Sequence, residues 1–162
     1  MNNSKAGYTL IELVISLGLV VMAIGVGGSM IKTQFFSLET ITSKIEAENL
    51  VRYPMTVLEK QIKDTDLVYV YNDIVYFRDM ESNAYFNNYA LSGDMVYKYK
   101  TSETLGSIGI GGTSQFADSL SNFEITSLPD GRIRVFLEST FNGRTFSQEK
   151  FLSLDCPVYT ID

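Results

Sequence analysis

Residues 13–31 read LVISLGLVVMAIGVGGSMI, nineteen positions without a charge, and the reading of this stretch decides the fold. Extending it back to residue 8 gives 24 residues that carry one acid, Glu12. At about 1.5 Å per residue such a segment makes roughly 36 Å of helix, enough to cross a hydrocarbon core of about 30 Å. Lys5 precedes the stretch and Lys32 follows it directly. The residues before it carry one positive and no negative charge, which predicts a cytoplasmic N-terminus and everything after Lys32 outside.

Glu12 is the feature that a plain membrane anchor does not explain. An acid in an apolar run costs up to about 2.5–3.5 kcal/mol at mid-membrane on insertion scales, and by default marks function. A secretory signal peptide is a second reading, with Ala23-Ile24-Gly25 as a passable cleavage site. It would have a shorter apolar region and a more basic start.

Working outward, Gly7-Tyr8-Thr9-Leu10-Ile11-Glu12-Leu13-Val14-Ile15 resembles the processing motif of type IV prepilins and pseudopilins. The shared pattern is a short polar leader ending in Gly, an aromatic residue, Glu as the fifth residue after the Gly, and a long hydrophobic helix. The leader here is MNNSKAG. The family usually has Phe where this chain has Tyr8, which keeps the aromatic character. The resemblance implies that a prepilin peptidase cuts between Gly7 and Tyr8, that the new amino group of Tyr8 is N-methylated, and that Glu12 pairs with the N-terminal amine of a neighbouring subunit. Two opposite charges that neutralise each other in low dielectric give a reason for that pairing and set axial register. The implied partners are the peptidase, other pilin or pseudopilin subunits, and the cytoplasmic membrane before assembly.

Gly18, Gly25, Gly27 and Gly28 interrupt the apolar span. Each costs about 1 kcal/mol against Ala in a helix interior, so the cluster is a weak point. In the family this region can stretch or unwind, which makes these glycines hinge candidates. Small residues also simply allow close helix packing, as in Gly25-x-x-x-Ser29.

After Lys32 the apolar residues Leu38, Ile41, Ile45, Val51, Met55, Leu58 and Ile62 recur at helical spacing. This predicts one face packed on a sheet, with Glu39, Lys44, Glu48, Lys60 and Lys63 turned away. Pro54 is expected to kink or break the helix near Arg52-Tyr53. From residue 67 strands follow: 67–71 and 74–78 around Asn72-Asp73, 84–91 and 94–100 around Ser92-Gly93, then 120–126, 132–140 and 145–154, the last pair joined at Asn142-Gly143. The expected organisation is a leader (1–7), a transmembrane and assembly half of the helix (8–31), an amphipathic half (32–64) and an antiparallel β head (65–162). This is an α+β fold, the pilin lollipop, with strand order similar to minor pilins of the general secretion J and PilW kind.

Composition narrows the chemistry. The 162 residues include 13 Lys plus Arg, 19 Asp plus Glu, one Cys, and no His or Trp. Without His and with one thiol there is no Cys/His zinc site, Ser-His-Asp triad or intramolecular disulfide. The net charge of −6 gives nucleic acid no support as a partner. Setting aside Lys5, Lys32 and Glu12, residues 33–162 keep 11 basic and 18 acidic side chains. The mean hydropathy of +0.05 is thus the average of an apolar stem and an acidic head.

Several features invite over-reading. Gly106-x-x-Gly109-x-Gly111-Gly112 lacks the Lys-Ser/Thr ending of a phosphate loop and reads as a surface loop. Asp64, Asp66, Asp73 and Asp79 lack a calcium-loop spacing. Arg132 and Arg134 with Lys98 and Lys100 form either a basic face on neighbouring strands or the wet side of a sheet. Cys156 reads as a small half-buried residue. The expectation is a structural minor pilin or pseudopilin of a pilus, secretion or competence filament, with no cofactor, metal or catalysed reaction. The protein is expected to sit first in the cytoplasmic membrane with an extracytoplasmic head, then in an extracellular filament. A ligand-binding head, for DNA, a surface or a partner pilin, is the alternative. A membrane-anchored enzyme is a third.

Overall fold

A computed structural model describes residues 9–79, 81–102 and 112–161. The fold is α+β, and the chain divides after Thr42 into two compact units. One helix, α1 (Leu10–Asp64, 55 residues), is followed by nine strands: β1 (Val68–Tyr71), β2 (Ile74–Asp79), β3 (Ser82–Ser92), β4 (Met95–Ser102), β5 (Thr113–Ala117), β6 (Asn122–Ser127), β7 (Ile133–Phe141), β8 (Arg144–Leu152) and β9 (Val158–Ile161).

In the first unit, α1 contains one segment long and apolar enough to cross a membrane, and no side chain of that segment is buried. In water such a surface would be costly, since each large apolar side chain is worth about 1.5–3 kcal/mol on burial. The helix runs unbroken through Gly18, Gly25, Gly27 and Gly28. The hydroxyls here close on their own helix: Ser16 donates to the Leu13 carbonyl (2.9 Å), Ser29 to Val26 (2.8 Å) and Thr33 to Ser29 (3.0 Å). That satisfies these three hydroxyls without water, as an apolar surrounding demands.

In the second unit, the rest of α1 buries Ser43, Ala47, Val51, Pro54, Met55, Leu58 and Ile62. Their spacing of three and four residues places them on one face. Val51, Met55, Leu58 and Ile62 share one core with Val68, Phe77 and Val96 and with Ile133, Val135 and Leu137. These come from two sheets, one ordered β5-β4-β3-β2-β1-β9 and one ordered β6-β7-β8. The alternate residues of the larger sheet, Leu67, Tyr76 and Phe86 with Tyr69 and Tyr71, form a second cluster on its other face. Asn72 (φ 50°) and Asp73 (φ 61°) turn β1 into β2, and Asn142 (φ 47°) with Gly143 (φ 72°) turn β7 into β8, the backbone that tight hairpins require.

Four expectations need correction. Pro54 does not break α1; it is buried on the packed face, where burial offsets its lost hydrogen bond, worth about 3 kcal/mol in an unpacked helix. Leu38, Ile41 and Ile45 are 58%, 54% and 50% exposed. The packed stripe instead begins with the small residues Ser43 and Ala47. The head is not purely antiparallel, because β9 pairs parallel with β1, Val68 beside Val158 through Tyr71 beside Ile161. Finally, β5 and β9 were both outside the expected strand set. The remaining strands fall within a few residues of expectation, with Ile133, Val135 and Leu137 fully buried along one face of β7.

Candidate functional site

The site marked by the sequence is the start of α1. Gly7 and Tyr8, the expected cleavage and methylation positions, lie outside the described residues. Thr9 stands just before the first helical residue, and its geometry with Glu12 is closed from both sides. The Thr9 N–H and hydroxyl both donate to Glu12 Oε2 at 2.9 Å, while the Glu12 N–H donates to Thr9 Oγ1 at 3.4 Å. This is a capping box, in which the N-cap and the third helical residue satisfy each other's donors. The Leu13 N–H closes the first turn on the Thr9 carbonyl at 3.3 Å. Glu12 Oε1 makes no hydrogen bond to a described residue. The carboxylate therefore has one oxygen committed within its own helix and one left for a partner. Thr9 is the residue that sequence reasoning missed here, although Thr-x-x-Glu ahead of an apolar run is the capping-box spacing.

Among the described residues, nothing explains the glycines of the span by packing. A methyl group added at Gly18, Gly25, Gly27 or Gly28 would meet no atom within 4 Å.

Elsewhere several charged residues are ion-paired. Arg134 donates to Glu149 (2.5 Å) and Glu124 (2.9 Å), and Arg132 stands beside Asp130 (2.6 Å). Lys100 pairs with Asp79, which is 4% exposed. Burial raises the Asp79 carboxyl, but Lys100 and the Glu81 N–H outweigh it and hold it below the usual carboxylate range. Lys98 and Lys100 lie in the larger sheet, Arg134 in β7 of the smaller one and Arg132 just before it. The basic face drawn from sequence is therefore not assembled: the two lysines belong to one sheet and the arginines to the other sheet and its approach, and both arginines are neutralised by neighbouring acids.

Asp66 accepts from Arg78 at 3.2 Å. Among the described residues no group of three or more His, Cys, Asp or Glu side chains is placed to hold a metal ion. Most of the glycine-rich loop lies outside the described residues. Cys156 is a free, half-buried thiol packed against the main core, and burial pushes its pKa up, which makes it a poor nucleophile. The chain matches no protein-family model, no curated protein and no solved structure.

Proposed function

We propose that this chain is a minor pilin or pseudopilin, a structural subunit of a type IV pilus or of a related secretion or competence filament. In this reading a prepilin peptidase cleaves after Gly7, Tyr8 becomes the N-methylated first residue, and the apolar helix carries the subunit from the cytoplasmic membrane into the filament. The chain is a substrate of the peptidase, with assembly as its mechanism and no reaction assigned to it.

The observation that carries the reading is Glu12 itself. It is the sole acid of a span otherwise without charge, at the fifth position after Gly7, and its Oε1 is left for a neighbour while Oε2 is held by Thr9. Half-satisfaction lowers the cost of holding the charge in a membrane and still rewards a second donor on assembly. The long exposed apolar helix and the packed α+β unit are consistent with it. N-terminal sequencing and mass measurement of the mature protein test the proposal. The expected result is a chain starting at N-methylated Tyr8; a start after Gly25, or an intact Met1, overturns it.

A further inference from the structure

Independently of that reading, the second unit has an open strand edge lying along a groove. β5 ends the larger sheet and, among the described residues, pairs with β4 alone. The Lys100 N–H donates to the Gly112 carbonyl at 3.0 Å, and the ladder continues with Lys98 opposite Ser114 and Tyr97 opposite Gln115. Hydrogen-bonded and non-hydrogen-bonded pairs alternate in an antiparallel ladder, so Gly112 and Ser114 face β4. The N–H and C=O groups of Thr113 and Gln115 therefore point away from it.

Between this edge and α1 runs a cleft of about 460 Å³. Leu50, Tyr53 and Pro54 line its helix side and Phe116 its strand side. Tyr53 is 73% exposed. A register shift in the β4–β5 pairing between Val96 and Tyr97 leaves Phe116 without a partner in the ladder, and its ring stands edge-on to Tyr89, centroids 4.8 Å apart. Glu46 and Asp118 also line the cleft, both exposed and neither ion-paired with a described residue.

We infer that this groove binds an extended peptide of a partner protein as a seventh strand on β5, with apolar side chains at alternate positions and Lys or Arg beside Glu46 and Asp118. An unpaired edge offers main-chain hydrogen bonds, and the helix alongside offers apolar surface to every second side chain. The two acids favour basic flanks over acidic ones. Thr113–Ala117 contains no Lys and no Pro, the residues that usually guard an edge against such pairing.

The test uses the full chain in detergent micelles and two end-blocked fluorescent peptides, Lys-Val-Thr-Val-Thr-Lys and Glu-Val-Thr-Val-Thr-Glu, read by fluorescence polarisation. The lysine peptide is expected to bind at least about tenfold tighter, with affinity falling as salt is added. Gln115→Pro removes an outward N–H, a place where edge strands tolerate proline, and is expected to weaken binding about tenfold or more with the circular dichroism unchanged. Should that variant misfold, Glu46→Lys with Asp118→Lys, both on the surface, is expected to invert the peptide preference. No binding of the lysine peptide at about 1 mM overturns the inference, as does equal binding of both peptides, or a folded Gln115→Pro chain that keeps full affinity. Self-association of the chain that Gln115→Pro abolishes would assign the groove to a second copy, and would also overturn it.

Discussion

Lys150 on β8 forms an ion pair with Glu59 on α1, and Lys63 approaches the same carboxylate at 2.8 Å. Residues 91 positions apart are thereby tied across the join between the helix and the smaller sheet. The hydrogen bond from Lys150, reinforced by the one from Lys63, lowers the Glu59 pKa to about 2. A carboxyl whose pKa is lower folded than unfolded stabilises the fold above its unfolded value and loses that contribution as pH falls through its folded value. The loss here runs from about pH 4.5 down to about pH 2.

Glu59→Gln is therefore expected to lower stability by about 1 kcal/mol at neutral pH, the upper end for a partly exposed pair. It should also flatten the fall in stability between about pH 4.5 and 2. Denaturant melts of the full chain at several pH values check this, and an unchanged pH slope would remove Glu59 from the account.

The helix-to-sheet core predicts a contrast between two neighbours on α1. Leu58 is wholly buried, whereas Tyr53 is mostly exposed. Leu58→Ala should cost about 2–5 kcal/mol, while Tyr53→Ala should stay within about 0.5 kcal/mol. Thermal melts of both variants decide it.

The hairpin between β7 and β8 rests on Gly143, whose φ of 72° lies in the left-handed region. Space is not the constraint there, since an added methyl would meet nothing within 4 Å. Gly143→Ala should then cost about 1–2 kcal/mol through backbone strain alone, and Gly143→Asn clearly less. Equal losses for the two variants would place the effect in the side chain instead.

If the chain is the filament subunit proposed above, Glu12→Ala should leave it in the membrane fraction but deplete it from sheared filaments. Thr9→Val, which removes the hydroxyl but keeps the N–H donor to Glu12, should have a smaller effect on incorporation. Immunoblots of the two fractions give the comparison, and normal incorporation of Glu12→Ala would end the proposed role of that acid.

What the sequence made legible follows from the range of the interactions involved. The apolar span, the hairpin turns at Asn72-Asp73 and Asn142-Gly143, and the alternation of β7 are local patterns, and each was readable. Leu38, Ile41 and Ile45 have the helical spacing of a core face, yet they are exposed, so spacing alone does not tell a packed face from an unpacked one. Ser43 and Ala47, too small to stand out by hydrophobicity, are buried instead. β5 is a short polar edge strand, Thr-Ser-Gln-Phe-Ala, with little pattern of its own, and β9 acquires its place only by pairing with β1. At the candidate site, Glu12 was readable as an anomaly, while Thr9, though it stands at capping-box spacing, was missed. The division of Lys98 and Lys100 from Arg132 and Arg134 was not readable, because it depends on which strands share a sheet.

The parallel pairing of β1 with β9 also sets an order of events. Val68 and Val158 are neighbours in space but 90 positions apart along the chain. Strand β1 is synthesised early and must wait for β9, so the larger sheet closes late and through a long loop, which slows folding. During that interval the backbone groups of β1 that later meet β9 are unpaired, beside the aromatic side chains of Tyr69 and Tyr71. A chain in this state carries its own sticky edge. The aggregation risk of β1 therefore lasts until the last strand arrives.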